Sequence, residues 1–337
     1  MFQGAPGPRN GGGQMGRIEL AGVCHPRQRL DLIRAAGFGW VRTDVPFPWR
    51  GRIGELGAQY LTFRARAHEL GRAGLQIEAI SPYPRGWDIP EAADPGSPTF
   101  LATYREACRF LAQDLGSLVP VWQVANEMNL EMFRRPLDEV GALAYLRAGA
   151  AGLAEGNPSA RVGVNMAGFD AAAMRMYREL YGGGKGTLDW VGTDGYFGSW
   201  EAGGPDSWIE KLDHLTRVAG RPVIIQEFGY ASAGRVLSAD ERAAGDWHRQ
   251  KGWGHGWAPA GYTPEHTAAL QAVYAARCLD LFSAHPAVQG LFWYCWSDHE
   301  RCWQCHQPDC PLETAWGLVT VDEQPKPAYA VFASWRP

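Results

Sequence analysis

The 337-residue chain has no continuous apolar run approaching the ~18 residues of a membrane span, so no membrane partner is expected. It has no Lys/Arg run either, and 36 acidic against 32 basic residues leave a formal net charge of -4. That balance offers no electrostatic footprint for a polyphosphate, which argues against nucleic acid and suits a neutral ligand. Residues 1–17 are rich in Gly and Pro and lack the apolar segment of a signal peptide. They are expected to form a disordered lead-in, with a single folded domain over 18–337 and a cytoplasmic location. None of the nine His falls in a His-x-His pair, the pattern with which metal-dependent barrel hydrolases commonly present ligands from one strand. No catalytic metal is therefore expected, and no organic cofactor is expected either. The surplus is in tryptophan: 15 residues whose flat faces can stack on sugar rings as well as fill a core.

From Ile18 onward, short β-rich runs alternate with longer amphipathic stretches, and no shift in composition marks a linker. Strands are predicted over 19–24, 40–43, 76–80, 119–125, 161–165, 189–193, 223–226 and 290–294. Helices are predicted over 26–36, 60–73, 98–115, 137–155, 171–181, 207–219, 264–283 and 326–335. Thr263 before Pro264 and Glu265 reads as an N-cap, and Gly37, Gly71 and Gly74 punctuate helix ends. Strict βα alternation with eight strands and none left over favours closure into a single (β/α)8 TIM barrel. The longest irregular insertions, 230–262 and 297–324, follow strands 7 and 8, on the face where such barrels carry their active sites.

Two apolar runs end abruptly in carboxylates. Val121-Trp-Gln-Val-Ala closes with Asn126-Glu127, and Pro222-Val-Ile-Ile-Gln closes with Glu227. One Glu at a strand tip is ordinarily just solvated; two, at the fourth and seventh strands of one barrel, point to chemistry. With these residues in hand the chain resembles the clan A glycoside hydrolases, the superfamily of cellulases, β-mannanases, β-xylosidases and many β-galactosidases, along almost its whole length. Residues 35–44, ending Val-Arg42-Thr-Asp44, resemble that clan's second strand with its active-site Arg, and Trp49 follows as an aromatic often does there. The resemblance implies that Asn126 binds the sugar 2-OH, that Glu127 is the general acid/base, that Glu227 is the nucleophile and that Tyr196 hydrogen-bonds it. The eighth strand, residues 290–298, resembles the one that supplies an aromatic floor; period 2 puts Tyr294 and Trp296 on one face, and Trp296 is the expected floor. Residues 317–319 and 325–329 resemble the clan's closing segment.

The implied reaction is hydrolysis of a β-linked oligosaccharide or glycoside with retention. One carboxyl must be protonated and the other ionised, so their environments must split their pKa values. Two alternatives stay open: a transglycosidase on the same site, and a barrel that binds carbohydrate without catalysis. Loops bearing Trp247, Trp253, Trp257 and Trp303 are candidates to wall the cleft.

Cys302, Cys305 and Cys310 form a Cys-x2-Cys-x4-Cys pattern in the loop after strand 8, accompanied by His299 and His306. The spacing suits a structural Zn2+ whose fourth ligand is a histidine such as His306, or a distant thiol such as Cys24. A disulfide and free thiols are the competing readings. Cys302-x-x-Cys305-His306 also spells a haem-attachment motif, out of place in a barrel loop. His25, at the end of strand 1, reads as a hydrogen-bonded structural or sugar-contacting residue.

Overall fold

A computed structural model describes residues 18–182 and 188–336; the expected lead-in over 1–17 lies outside them. Eight parallel strands close into a barrel: β1 (Leu20–Cys24), β2 (Trp40–Asp44), β3 (Gln76–Ile80), β4 (Val121–Gln123), β5 (Arg161–Val164), β6 (Trp190–Gly195), β7 (Val223–Phe228) and β8 (Val288–Trp293). Each pairs with its neighbours in sequence, and β8 returns to β1. The principal helices are α1 (Leu30–Ala35), α2 (Ala58–Arg72), α3 (Pro98–Leu115), α4 (Glu139–Gly156), α5 (Ala171–Tyr181), α6 (Ser207–Ala219), α7 (Ala268–Ala284) and α8 (Pro327–Ser334). Among the described residues, no helix is long and apolar enough to cross a membrane.

Local chemistry explains the helix starts. Ser97, Asp138 and Asp170 each accept a hydrogen bond from a backbone N–H of the following turn, satisfying a donor the helix leaves free. The seventh helix begins later than its sequence suggests. Its cap is Thr267 rather than Thr263, because the buried His266 ring lies between the His255 and Ala231 carbonyls and holds the preceding residues off the helix. Gly37 and Gly74 do end helices in left-handed conformations, whereas Gly71 lies within α2. Helices α3 and α4 approach closely because Gly152 and Gly156 lack side chains; a Cβ at either would stand 2.1 Å from a carbonyl oxygen of α3.

Inside the barrel the side chains form layers. Trp190 and Phe292 fill the lower part, in space left by Gly163 and Gly22, where an added Cβ would lie 2.2 Å and 2.4 Å from those rings. The interior also holds a polar layer, Arg42 from β2, Glu78 from β3, Gln123 from β4 and Gln226 from β7, all fully buried. An apolar base carrying a polar layer orients everything above it toward the C-terminal face, where the long loops gather.

Candidate active site

The C-terminal mouth holds a cavity of about 980 Å³ lined by Asn126, Glu127, Asp194, Tyr196, Glu227 and Tyr294, among others. Glu227 reaches it through a local irregularity. Across from β6, Thr193 aligns with Ile225 and Asp194 with Glu227, and β8 skips in the same place, so β7 carries one extra residue. A bulge of this kind re-aims a side chain. Gln226 stays in the buried layer while Glu227, the next residue, also lines the cavity.

Glu127 comes from a different device. After β4 ends at Gln123, Ala125 and Glu127 both take left-handed backbone conformations, φ 50° and 48°. L-residues adopt these rarely, and they persist only where surroundings hold them. Here the holders are visible: Ser81 Oγ accepts from the Ala125 N–H at 2.9 Å, Gln123 Nε2 donates to the Ala125 carbonyl at 2.6 Å, and Asn165 Oδ1 accepts from the Glu127 N–H at 3.1 Å.

Arg42 organises the floor. Its Nη1 donates to Glu227 Oε1 at 2.7 Å, its Nη2 to Asn126 Oδ1 at 2.7 Å, and Nε and Nη2 both donate to Gln123 Oε1. Asn126 Oδ1 also accepts from Gln123 and Asn165, so this amide spends its acceptor on the floor and has its NH2 for the cavity. The Tyr196 hydroxyl donates to Glu227 Oε2. Burial, and after it the charge of Glu227, hold that phenol well above its usual range, which keeps it a donor.

The two glutamates are electrostatically distinct. Burial raises the Glu127 pKa, and the nearby charge of Glu227 raises it further, whereas Glu227 is held by a guanidinium and a phenol. Asp194, at the end of β6, is raised by burial and then by both glutamates. One oxygen each from Glu127, Asp194 and Glu227 lie within 4.8 Å of one another. Glu313 also lines the cavity, its carboxyl pushed up to about 8 by burial.

Sequence reasoning placed Arg42, Asn126, Glu127, Tyr196 and Glu227 together, and the structure brings all five to one place. Trp296 is elsewhere: it is fully buried with its indole N–H donating to Glu323 at 2.6 Å. Regular pairing in β8 ends at Trp293, so period-2 alternation cannot be extended to residue 296. Tyr294 faces the cavity instead, edge-to-face with Tyr196, and Trp316 completes the aromatic wall. Trp49 is also displaced from the site; it is buried in a two-stranded hairpin against Phe47 and Phe110. His25 lines the cavity edge-to-face with Tyr294. Of the four loop tryptophans only Trp303 lines the cavity; Trp247 stacks behind the lining residue Trp200. Asp194 was legible by the signal that found the glutamates, an apolar strand ending in a carboxylate. Glu313, in a loop, carries no such signal.

The cysteine loop also departs from expectation. Cys302, Cys305 and Cys310 do converge, but with His248 from the loop after β7. His306 is exposed, turned away by a left-handed backbone at φ 61°. Cys24 lies inside the barrel beside Arg42, and His299 is bonded to the Glu313 carbonyl.

No family model matches the chain, and no curated protein matches it by sequence. Solved structures do match. A family 39 glycoside hydrolase from the gut symbiont Bacteroides cellulosilyticus WH2 is 18% identical with a TM-score of 0.63, over 95% of this chain and 63% of that one. An exo-β-1,4-mannosidase from Opitutaceae bacterium strain TAV5 is 17% identical with a TM-score of 0.64, over 94% and 59%. Fungal β-1,4-galactanases are 14% identical with a TM-score of 0.67, over 94% of this chain and 100% of theirs. The chain thus spans under two thirds of the first two proteins. The likeness is one of fold: the (β/α)8 barrel expected from clan A is the barrel these glycoside hydrolases share.

Proposed function

We propose that the protein is a retaining glycoside hydrolase acting on a β-linked glycoside, with Glu227 as nucleophile and Glu127 as general acid/base. The observation that carries this reading is the pairing of a buried carboxyl raised toward its protonated form with a carboxylate fixed by Arg42 and Tyr196. One oxygen of each lies within 4.8 Å of the other, a close approach that supports the ~5–5.5 Å carboxyl spacing of retaining enzymes over the ~6.5–9.5 Å gap that accommodates water in inverting ones.

In the first displacement, a Glu227 oxygen attacks the anomeric carbon while Glu127 gives its proton to the departing oxygen, breaking the glycosidic bond and forming a glycosyl ester. Neutralising Glu227 in that ester removes the negative charge that raised Glu127, so the acid becomes easier to deprotonate when its next task is to take a proton from water. Water then attacks the same carbon, Glu227 leaves as carboxylate, and Glu127 is reprotonated. Asn126 is the donor for the sugar 2-OH, and Tyr294 with Trp316 forms the aromatic wall beside the ring.

Glu127→Gln and Glu227→Gln variants, assayed on nitrophenyl β-glycosides of glucose, galactose, mannose and xylose and on an arabinofuranoside, test the reading. Hydrolysis of at least one by the wild type is expected, lost in Glu227→Gln and, in Glu127→Gln, slowed to the hydrolysis of the glycosyl-enzyme after a first release of nitrophenol. Sugar binding with no turnover would identify a carbohydrate-binding barrel instead. The rim residues Met132, Phe133 and Trp303 make one wall of the cavity apolar, the feature that favours transglycosylation; products formed with added sugar acceptors decide between acceptor and water.

A further inference from the structure

Among the described residues, one other group of side chains outside the carboxylate centre converges without a partner that explains it. Cys302, Cys305 and Cys310, from the loop after β8, and His248, from the short helix Trp247–Gln250 in the loop after β7, place one ligand atom each within 4.8 Å of one another. The His248 Nδ1 lies 3.4 Å from Cys310 Sγ and 3.6 Å from Cys302 Sγ. A tetrahedral ion with bonds of ~2.3 Å to sulfur and ~2.05 Å to nitrogen would set those edges at about 3.5 Å. The Cys305 backbone N–H points at Cys302 Sγ at 3.4 Å, and the His306 N–H donates to the Cys302 carbonyl at 2.8 Å, winding residues 302–306 into a tight knuckle that turns two thiols the same way.

We propose that these four side chains bind a structural Zn2+ and that this ion clamps the loop after β7 to the loop after β8. Three thiols and one imidazole are a donor set suited to zinc, and four protein ligands leave no open position for substrate, which sets a structural site apart from a catalytic one. The histidine is prepared for the task. Its Nε2 faces Gln304 Oε1 at 3.0 Å, which fixes the proton on Nε2 and leaves the Nδ1 lone pair for the ion. A disulfide would use two of the three thiols and leave the third, and the oriented histidine, without a role. The site also supplies what the loop lacks, since between Trp293 and α8 the only helix is the one-turn segment Pro311–Thr314. The clamp reaches the cavity as well: Gln304, which orients His248, donates through Nε2 to Glu313 Oε1 at 2.7 Å, and both Gln304 and Glu313 line it.

The test uses the full chain, purified under reducing conditions without chelator and, separately, refolded with one equivalent of zinc. Elemental analysis is expected to find about one zinc per chain, and X-ray absorption at the zinc edge to give three sulfurs at ~2.3 Å and one nitrogen at ~2.05 Å. Cys305→Ser with Cys310→Ser should abolish retention of the ion, His248→Ala should remove the imidazole shell from the absorption spectrum, and chelation of the wild type should speed amide exchange across residues 299–315. Refolded protein that holds no zinc, an absorption spectrum dominated by oxygen ligands, or a double variant that keeps a full equivalent overturns the proposal. So does mass spectrometry showing two of these thiols joined in protein kept reduced throughout. None of these readouts depends on what the cavity hydrolyses.

Discussion

Two clusters of side chains sit at the top of the same barrel, and they are held in opposite ways. Glu127, Asp194 and Glu227 follow or end β4, β6 and β7, so the hydrogen-bonded barrel fixes them and a buried guanidinium balances their charge. The thiols hang from a loop with almost no regular structure, and among the described residues the hydrogen-bond partners of Cys302 and Cys310 Sγ are the His248 ring and a backbone N–H. The contrast teaches that a strand end can hold a reactive group using the fold alone, whereas a loop needs an added tether. It also implies that damage to one cluster should look different from damage to the other: loss of chemistry with the structure kept, against loss of order with the chemistry kept.

The sharpest break of that comparison is Glu227→Ala. Turnover is expected to fall by at least about ten-thousandfold while the melting temperature stays close to wild type, and azide should restore turnover as a glycosyl azide of inverted configuration. A large loss of stability would show that the carboxylate centre is itself a structural tether. Glu127→Ala should be milder and selective. On poor leaving groups the loss is about a hundred- to ten-thousandfold, while good leaving groups, which need little protonation, retain the first step. Equal losses on both would remove Glu127 from its role. Because Glu127 is raised by burial and by Glu227, the alkaline limb of kcat/KM is assigned to it; on a good leaving group that limb should flatten in the alanine variant.

How far the sequence could show this follows from the same contrast. Glu127 and Glu227 were legible because a carboxylate at the end of an apolar run is conspicuous, and the eight strands were legible because short β-rich runs alternate with longer amphipathic stretches. The bulge that aims Glu227 leaves no sequence signal, and the end of β8 at Trp293 was invisible, which is why Trp296 was expected where Tyr294 stands. His248 could not be found by spacing, being 54 residues from Cys302 and brought near only by the packing of two loops. The nearer His306 misled for the same reason: sequence proximity in a loop does not fix direction when the backbone turns left-handed.

A third prediction concerns the layer beneath the carboxylate centre. Burial pushes Glu78 up to about 7, with Arg42 opposing. A carboxyl raised on folding contributes stability that is fully present below its unfolded pKa and is lost as pH rises through the folded value. Between pH 4.5 and 7 this amounts to about 3 kcal/mol at ~1.4 kcal/mol per unit. Glu78→Gln should therefore make the melting temperature less dependent on pH across that window, with the variant gaining on the wild type toward pH 8. A wild-type curve that rises from pH 5 to 8, unchanged in Glu78→Gln, would contradict this reading of the polar layer.

The smallest expected effect is the most informative about whether the two clusters are independent. Gln304 hydrogen-bonds on both sides: Oε1 faces the His248 ring and Nε2 donates to Glu313 in the cavity wall. If it transmits order from the tether to the cavity, Gln304→Ala should weaken zinc retention by about ten- to a hundredfold, the usual cost of removing a partner that orients a ligand. It should also raise KM by about two- to tenfold, the span of one hydrogen bond worth ~0.5–1.5 kcal/mol, with kcat nearly unchanged because Glu127 and Glu227 are held by the barrel. Adding Glu313→Ala should then cost little more than Glu313→Ala alone, since Gln304 would be acting on KM through that carboxyl. Strictly additive effects on KM would mean that the clusters share a rim and nothing else. A drop in kcat equal to the rise in KM would mean that the loop reaches the reacting groups themselves, and the division between a strand-held centre and a tethered loop would have to be abandoned.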